Sequence, residues 1–271
     1  MRASGGGATV TRAEIRAKGI DPDTFIRRAI ERYDGEIAHN DRSFETLISR
    51  FKDLGLLDKT LVVFASDHGE EFWEHGFSAH GHSVYSELIH VALMMWNPRL
   101  LPHPGRVSEV VQLVDIAPTV LDLLGLKSVE GLEGRSLVPL LNGGASAAPV
   151  PAWSTKLRLP IAKPGSGVPE NLTDSIARVE PEWKLIYRPQ AARAHMKALE
   201  LYDRRTDRVD KTDVAAQHPD VAERMKQAIQ KWMEQENAIK ARIGPGGSKP
   251  LDRNTLDRLR SLGYLGGQKT P

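Results

Sequence analysis

Directly after the apolar run Leu61-Val62-Val63-Phe64-Ala65, the chain reads Ser66-Asp67-His68-Gly69. Adjacent carboxylate and imidazole groups at the end of a buried strand can both ligate one divalent cation, and Gly69 permits a sharp backbone turn there. The same spacing also suits a polar turn in which Asp67 caps a following helix and His68 sits at the surface. The next residues weight the first reading. His68, His75, His80, His82 and His90 are five of the nine histidines, interleaved with Glu70, Glu71, Glu74 and several glycines. A loop this rich in imidazole and carboxylate, placed just beyond a strand, suits a metal or anion site. No HExxH pair occurs, which argues against a compact helical zinc site. His75 and His82 read as solvated loop residues, and His90, abutting a strand, as structural.

The elements that must position these residues follow from pattern. Asp21 and Pro22 suit the N-cap and first position of a long helix ending near Leu54, with Gly55 just beyond it. Its apolar residues Ile26, Ile30, Tyr33, Ile37, Phe44, Leu47, Ile48 and Phe51 recur mostly at three- and four-residue steps. Leu61–Ala65 has the uninterrupted apolar character of a fully buried parallel strand. A helix over 84–89, a second buried strand over 90–96 and a short strand over 107–111 are expected next, then a helix over 115–124. This alternation predicts an α/β sheet with helices on its faces, and ligands in such sheets bind beyond the carboxyl ends of strands. Composition shifts at 142–151, a linker-like stretch. Beyond it come a hairpin (174–179 and 183–187), a third strand near 200–203, an amphipathic helix over 221–243 and a short helix over 254–262. Trp153 and Trp183 are candidates for a substrate cleft or, more in keeping with their strand setting, for core. Lys226, Lys231 and Lys240 among Glu223, Glu234 and Glu236 mark a solvated helix face.

Composition narrows the function classes. The 271 residues carry a net charge of +2, which favours neither nucleic acid nor an anionic membrane as partner. No window reaches the roughly 18 apolar residues of a membrane helix. The absence of cysteine excludes disulfides, thiolate zinc sites and a cysteine nucleophile within this chain. Gly5-Gly6-Gly7 lacks the strand and GK[ST] of a phosphate loop.

Taken together, several segments resemble the sulfatases of the alkaline phosphatase superfamily. They are Ser66-Asp67-His68-Gly69-Glu70, Glu74-His75-Gly76, Ala79-His80-Gly81-His82-Ser83-Val84-Tyr85-Ser86-Glu87-Leu88 and the approach Gly55-Leu56-Leu57-Asp58-Lys59-Thr60. Arg32-Tyr33-Asp34-Gly35-Glu36-Ile37, Val114-Asp115-Ile116-Ala117-Pro118-Thr119, Glu200-Leu201-Tyr202-Asp203 and residues 259–265 follow the same family order. The resemblance implies an α/β fold: a partial alkaline-phosphatase-like sandwich over 1–145, and a small C-terminal antiparallel sheet plus helix over 150–271. It implies hydrolysis of sulfate esters, with phosphonate or phosphodiester hydrolysis, or a non-catalytic sulfatase-like binding module, as the alternatives. Asp67 and His68 become ligands of a divalent metal, most in keeping with Ca2+, with Mg2+, Mn2+ or Zn2+ as alternatives. His80 becomes the cationic contact to the transferring or departing group, and Tyr85, Glu87 and Asp115 shape the surrounding fold. The substrate is a sulfated or phosphorylated small molecule or glycan, and family members are often periplasmic or secreted.

One departure stands out. Sulfatases take their nucleophile, a formylglycine, from a Cys/Ser-x-Pro/Ala-x-Arg motif, and further metal ligands from an Asp-Asp pair. Neither is present here. The expectation is therefore a C-terminal part of a sulfatase-like enzyme, inactive alone.

Overall fold

The computed structural model describes residues 10–144, 148–156, 174–191, 197–243, 252–255 and 258. Two layers of structure meet at the histidine-rich segment. The first is built on a short helix α1 (Arg12–Ala17) and a long helix α2 (Pro22–Asp53). The Asp21 carboxylate accepts the Thr24 N–H at 2.9 Å, and Pro22 starts the helix with no N–H to satisfy. Gly55 follows at φ 64°, where a Cβ would be strained. Asp21→Ala is expected to destabilise by about 1 kcal/mol, measured by urea denaturation, because the Thr24 N–H would lose its acceptor.

Strand β1 (Val62–Ala65) pairs with β4 (Leu93–Trp96), while β2 (Glu71–Phe72) and β3 (Ser78–Ala79) form a small hairpin between them. The β1–β4 register runs Val62 opposite Trp96 and Ala65 opposite Leu93, and the pairing is antiparallel. This corrects the expectation of a fully buried parallel strand: β1 is half-buried at Val62 and Val63 and exposed at Phe64 and Ala65. A continuous apolar run reports that a strand expects cover on both faces, not which way its neighbour runs. Cover comes on one side from α2, whose Phe25, Tyr33 and Phe44 make edge-to-face contacts with Trp73, Phe72 and Phe64 at 5.7, 5.2 and 5.5 Å. Elsewhere the helix's apolar stripe is open, with Ile37 and Leu47 exposed.

Helix α3 (Ser86–Ile89) is shorter than expected, and His90 is exposed rather than structural. Its N–H closes the last turn on the Ser86 carbonyl, so the chain enters β4 only at Leu93. No strand forms over 107–111. Side chains occupy this neighbourhood instead: Arg135 donates to the Val110 carbonyl at 3.3 Å, and the Gln112 amide group accepts Trp153 N–H at 2.7 Å. Helix α4 (Ile116–Leu123) holds Pro118 in its first turn, as expected, and α5 (Val138–Leu141) follows. Buried Asp115 accepts N–H groups from Gln112 and Arg135, at 2.9 Å each.

The second layer is a four-stranded antiparallel sheet: β5 (Ala152–Lys156), β6 (Ser175–Val179), β7 (Trp183–Tyr187) and β8 (Leu199–Asp203), in sequential order. Helix α6 (Pro219–Ile243) packs Ala222, Met225 and Ile229 on Ile176, Leu185 and Leu201. Trp153 and Trp183 pack against this cluster too, Trp153 stacking on Trp232 at 5.0 Å, so both are core rather than cleft. The opposite face of the sheet, with Ala177, Ile186 and Tyr202, receives Val84 and Tyr85. The helix expected over 254–262 and the motif at 259–265 lie largely outside the described residues. Among the described residues no helix is long and apolar enough to cross a membrane.

Candidate functional site

Asp67 and His68 stand where β1 ends. Gly69 brings the turn against α3, its N–H bonding the Leu88 carbonyl at 2.9 Å. A Cβ at this position would lie 1.9 Å from the Glu87 carbonyl oxygen, so only glycine fits. The Asp67 side chain is 87% exposed and that of His68 44%, beside an open depression of about 560 Å3 lined by Asn40, Ser43, Phe44, Leu47, Phe64 and Ser66. The depression lies between α2 and the carboxyl end of β1.

The donor set can be read atom by atom. Asp67 Oδ1 accepts the His68 N–H at 3.0 Å, leaving Oδ2 available. His68 Nδ1 lies 2.8 Å from the Gly69 carbonyl, which only accepts, so Nδ1 is the donor and Nε2 is the nitrogen through which a neutral ring would ligate. Nε2 and Oδ2 are 3.8 Å apart. With metal–ligand bonds of about 2.0–2.6 Å, one cation can take both. Both donors therefore fit as two members of a ligand set. Among the described residues, no group of three or more His, Cys, Asp or Glu side chains could hold a metal ion.

His80 joins them. Its ring stacks on that of His68 with centroids 4.0 Å apart, and its Nδ1 contacts Glu70 Oε2 at 3.1 Å, which leaves Nε2 open. The residues flanking it, Ala79 and Gly81, both have positive φ, 71° and 82°. Such backbone strain at a non-glycine residue persists only where the surroundings hold it. Glu70 stands among the carboxylates interleaved with the histidines, but its pairing with His80 has no local signal, because the two lie ten residues apart across the β2–β3 hairpin.

His75 and His82 are not solvated loop residues. His82 is buried and its Nε2 meets Glu71 Oε2 at 2.6 Å. Glu71 is fully buried and also accepts the N–H groups of His75 and Phe77, at 3.0 and 2.8 Å. Burial works against its charge, yet the His82 and backbone hydrogen bonds outweigh it and hold the carboxyl below its ordinary pKa. His75 is enclosed between Glu87 and the Asp210 carbonyl.

Behind the histidines lies a polar seam that fastens this segment to the C-terminal sheet. Buried Lys184 donates to Asp210 and, at 3.1 Å, to Ser86 Oγ, while Asp210 accepts Ser86 N–H at 2.7 Å. Arg188, fully buried, donates to Glu200 at 2.7 Å and to the Tyr85 hydroxyl at 3.2 Å. The Tyr85 hydroxyl in turn donates to Glu200 at 3.1 Å, and burial first, then the Glu200 charge, pushes its pKa up to about 12. Tyr85 and Glu87 thus shape the fold around the site, as expected.

The fold these elements make is a partial α/β fold of the alkaline-phosphatase type. Residues 5–126 match the family model for Sulfatase. Arylsulfatase K from Danio rerio is 31% identical over 218 residues, 80% of this chain and 39% of that protein. Among solved structures, a phosphonate monoester hydrolase from Agrobacterium radiobacter is 27% identical, with a TM-score of 0.57 over 80% of this chain and 45% of its own. A protein solved with its substrate D-glucosamine-2-N,6-O-disulfate shares the fold at 21% identity and a TM-score of 0.54, covering 74% of this chain and 39% of that one. The chain belongs to the sulfatase family of the alkaline phosphatase superfamily. It spans about two-fifths of the length of the Danio rerio relative.

Proposed function

We propose that this chain supplies one side of a metal-dependent sulfuric ester hydrolase centre. The observation that carries the reading is the convergence of Asp67 Oδ2, His68 Nε2 and the His80 ring at the end of β1. Asp67 and His68 would hold a divalent cation, calcium being most in keeping with the family. When bound, such a cation neutralises charge on the oxygens of the group being transferred. Because calcium takes about 6–8 oxygen ligands, the set is completed from outside these two residues. Asp67 contributes a free carboxylate oxygen, and the Gly69 carbonyl keeps His68 in the tautomer that can ligate. His80, oriented by Glu70 through Nδ1, presents Nε2 to the anionic group or to the leaving oxygen, where it can donate a proton. The formylglycine nucleophile comes from a segment other than this chain, which has no cysteine and no serine in the required motif. The two portions, 1–145 and 150–271, act as one unit, the second bracing the site from behind. Sulfated small molecules or glycans are the substrates.

Phosphonate or phosphodiester hydrolysis is the second reading. It is supported by the Asp67-His68 pair and by the likeness to a phosphonate monoester hydrolase.

Calcium titration by calorimetry tests the metal site. Asp67→Ala is expected to weaken binding by about tenfold or more while circular dichroism stays unchanged; unaltered affinity removes Asp67 from the ligand set. Turnover of matched aryl sulfate and phosphonate esters tests the chemistry, with the chain alone and with a formylglycine-bearing sulfatase segment added. Activity only on addition, and greater on the sulfate, is expected. Activity of the chain alone overturns the shared-site reading, and preference for the phosphonate favours the second one.

A further inference from the structure

We propose that His75 is a proton-dependent clasp that fastens the β2–β3 loop, and with it the approach to His80, to the C-terminal portion of the chain at Asp210. The argument is one of hydrogen-bond inventory. His75 Nε2 lies 2.7 Å from the Asp210 carbonyl, which can only accept, so this nitrogen carries a proton. Nδ1 lies 2.6 Å from Glu87 Oε1. That contact also needs a proton, borne by the ring or by the carboxyl. Neutral imidazole facing an ionised carboxylate would set lone pair against lone pair. The His75–Glu87 pair therefore holds one proton more than the two groups hold when His is neutral and Glu ionised.

The groups facing the ring agree with this count. From α3 comes the Glu87 charge; from the segment before it, the Tyr85 ring, stacked on His75 at 3.7 Å and 7°. From β2, Glu71 accepts the His75 backbone N–H rather than contacting the ring. Beyond β8, Lys211 opposes the ring's charge and reaches the neighbouring Glu74 carbonyl at 2.7 Å. From β7, Lys184 is engaged with the carboxylate of Asp210. Burial disfavours the imidazolium, but the Glu87 hydrogen bond, the Asp210 carbonyl and the Glu87 charge outweigh it, so the His75 pKa rises above 6.5.

The sign follows. A group whose folded pKa exceeds its unfolded value stabilises fully below the unfolded pKa, and that stabilisation is lost as pH rises through the folded one. The clasp is closed in mild acid and opens on the alkaline side of the ordinary imidazole range. On release the ring keeps its remaining proton on Nδ1, toward the Glu87 carboxylate, so Nε2 sets a lone pair against the Asp210 carbonyl. The loop that ends at β3, one residue before His80, loses that anchor 135 residues away in sequence and keeps the Lys211 bond to the Glu74 carbonyl.

The test is nitrogen-resolved histidine NMR on the whole chain, with amide exchange followed over the same pH series. Both ring nitrogens of His75 are expected to be protonated at pH 6.5, and amides near 74–77 and 209–211 to exchange faster as the ring deprotonates. A ring that holds a single proton at that pH, or exchange indifferent to its titration, overturns the clasp. Thermal melts give a second check. The wild-type midpoint is expected to fall by roughly 3 °C per pH unit between the unfolded and folded pKa values, a component that His75→Gln lacks. Equal slopes in both proteins also overturn it, and should the variant fail to fold, the wild-type NMR decides.

Discussion

Asp210→Ala is expected to destabilise the protein by about 3–5 kcal/mol, the cost typical of removing one partner from a buried ion pair. The Lys184 and Asp210 side chains are each only 1% exposed. Burial pulls the Lys184 pKa down, and Asp210 is what chiefly opposes that pull. Without the carboxylate, the lysine either keeps an unpaired buried charge or gives up its proton, and the second route limits the loss. Two further costs come with the change. The Ser86 N–H at the start of α3 loses its acceptor, and alanine inherits a left-handed φ of 57° that aspartate tolerates better. Urea denaturation at neutral pH measures the effect. Adding Lys184→Met should recover part of it, because an apolar chain of similar length needs no partner. A single-variant cost below about 1 kcal/mol would show that water reaches the pair.

Gly69→Ala is the next largest, at about 3 kcal/mol or more. The added Cβ meets backbone, the Glu87 carbonyl oxygen at 1.9 Å and its carbon at 3.0 Å, and backbone cannot swing aside as a side chain can. Either the Asp67-His68 turn lifts off α3, breaking the Gly69 N–H bond to Leu88, or α3 is displaced. In both cases the 4.0 Å stacking of His68 on His80 is lost. Melting temperature reads the stability, and ring-to-ring NMR contacts read the geometry. Gly35→Ala is the control: this glycine lies inside α2 with nothing within 4 Å of an added Cβ, so its variant should be neutral or more stable by up to about 1 kcal/mol. Equal behaviour of the two variants would sink the close-approach argument.

Legibility in the sequence follows the range of the interactions. The start of α2 is local chemistry, carried by Asp21, Pro22 and Thr24, and reads directly. The β6–β7 hairpin, β8 and the buried stripe of α6 also follow from short-range pattern. The turn at Asp67-His68-Gly69 was legible as a strand end with two donors. What escaped depends on partners far along the chain. His75 and His82 look like loop residues because Glu71, Glu87 and Asp210 become their partners only through the β2–β3 hairpin and the docking of the second sheet. The direction of β1 was hidden for the same reason, since an apolar run does not name its neighbour. Strand β5, Ala152-Trp-Ser-Thr-Lys156, has little strand signal of its own and is fixed by pairing with β6. His90 abuts an apolar run in the sequence yet lies outside the strand, which begins three residues later.

Strand β7 serves two masters, and that restricts how this protein can evolve. Trp183, Leu185 and Tyr187 belong to the cluster under α6, whereas Ile186 packs with Val84 and Tyr85 on the other side. Lys184 and Arg188, two and two residues from Ile186, reach the same side to grip Ser86, Asp210 and Glu200. Gaining or losing one residue between the β6–β7 turn and Lys184 would turn both cations into the apolar seam beneath α6 and present Leu185 to the carboxylates of Asp210 and Glu200. Lineages carrying this chain can therefore trade side chains along β7 far more readily than they can change its length, and the histidine-rich segment, gripped through Lys184 and Arg188, inherits that constraint.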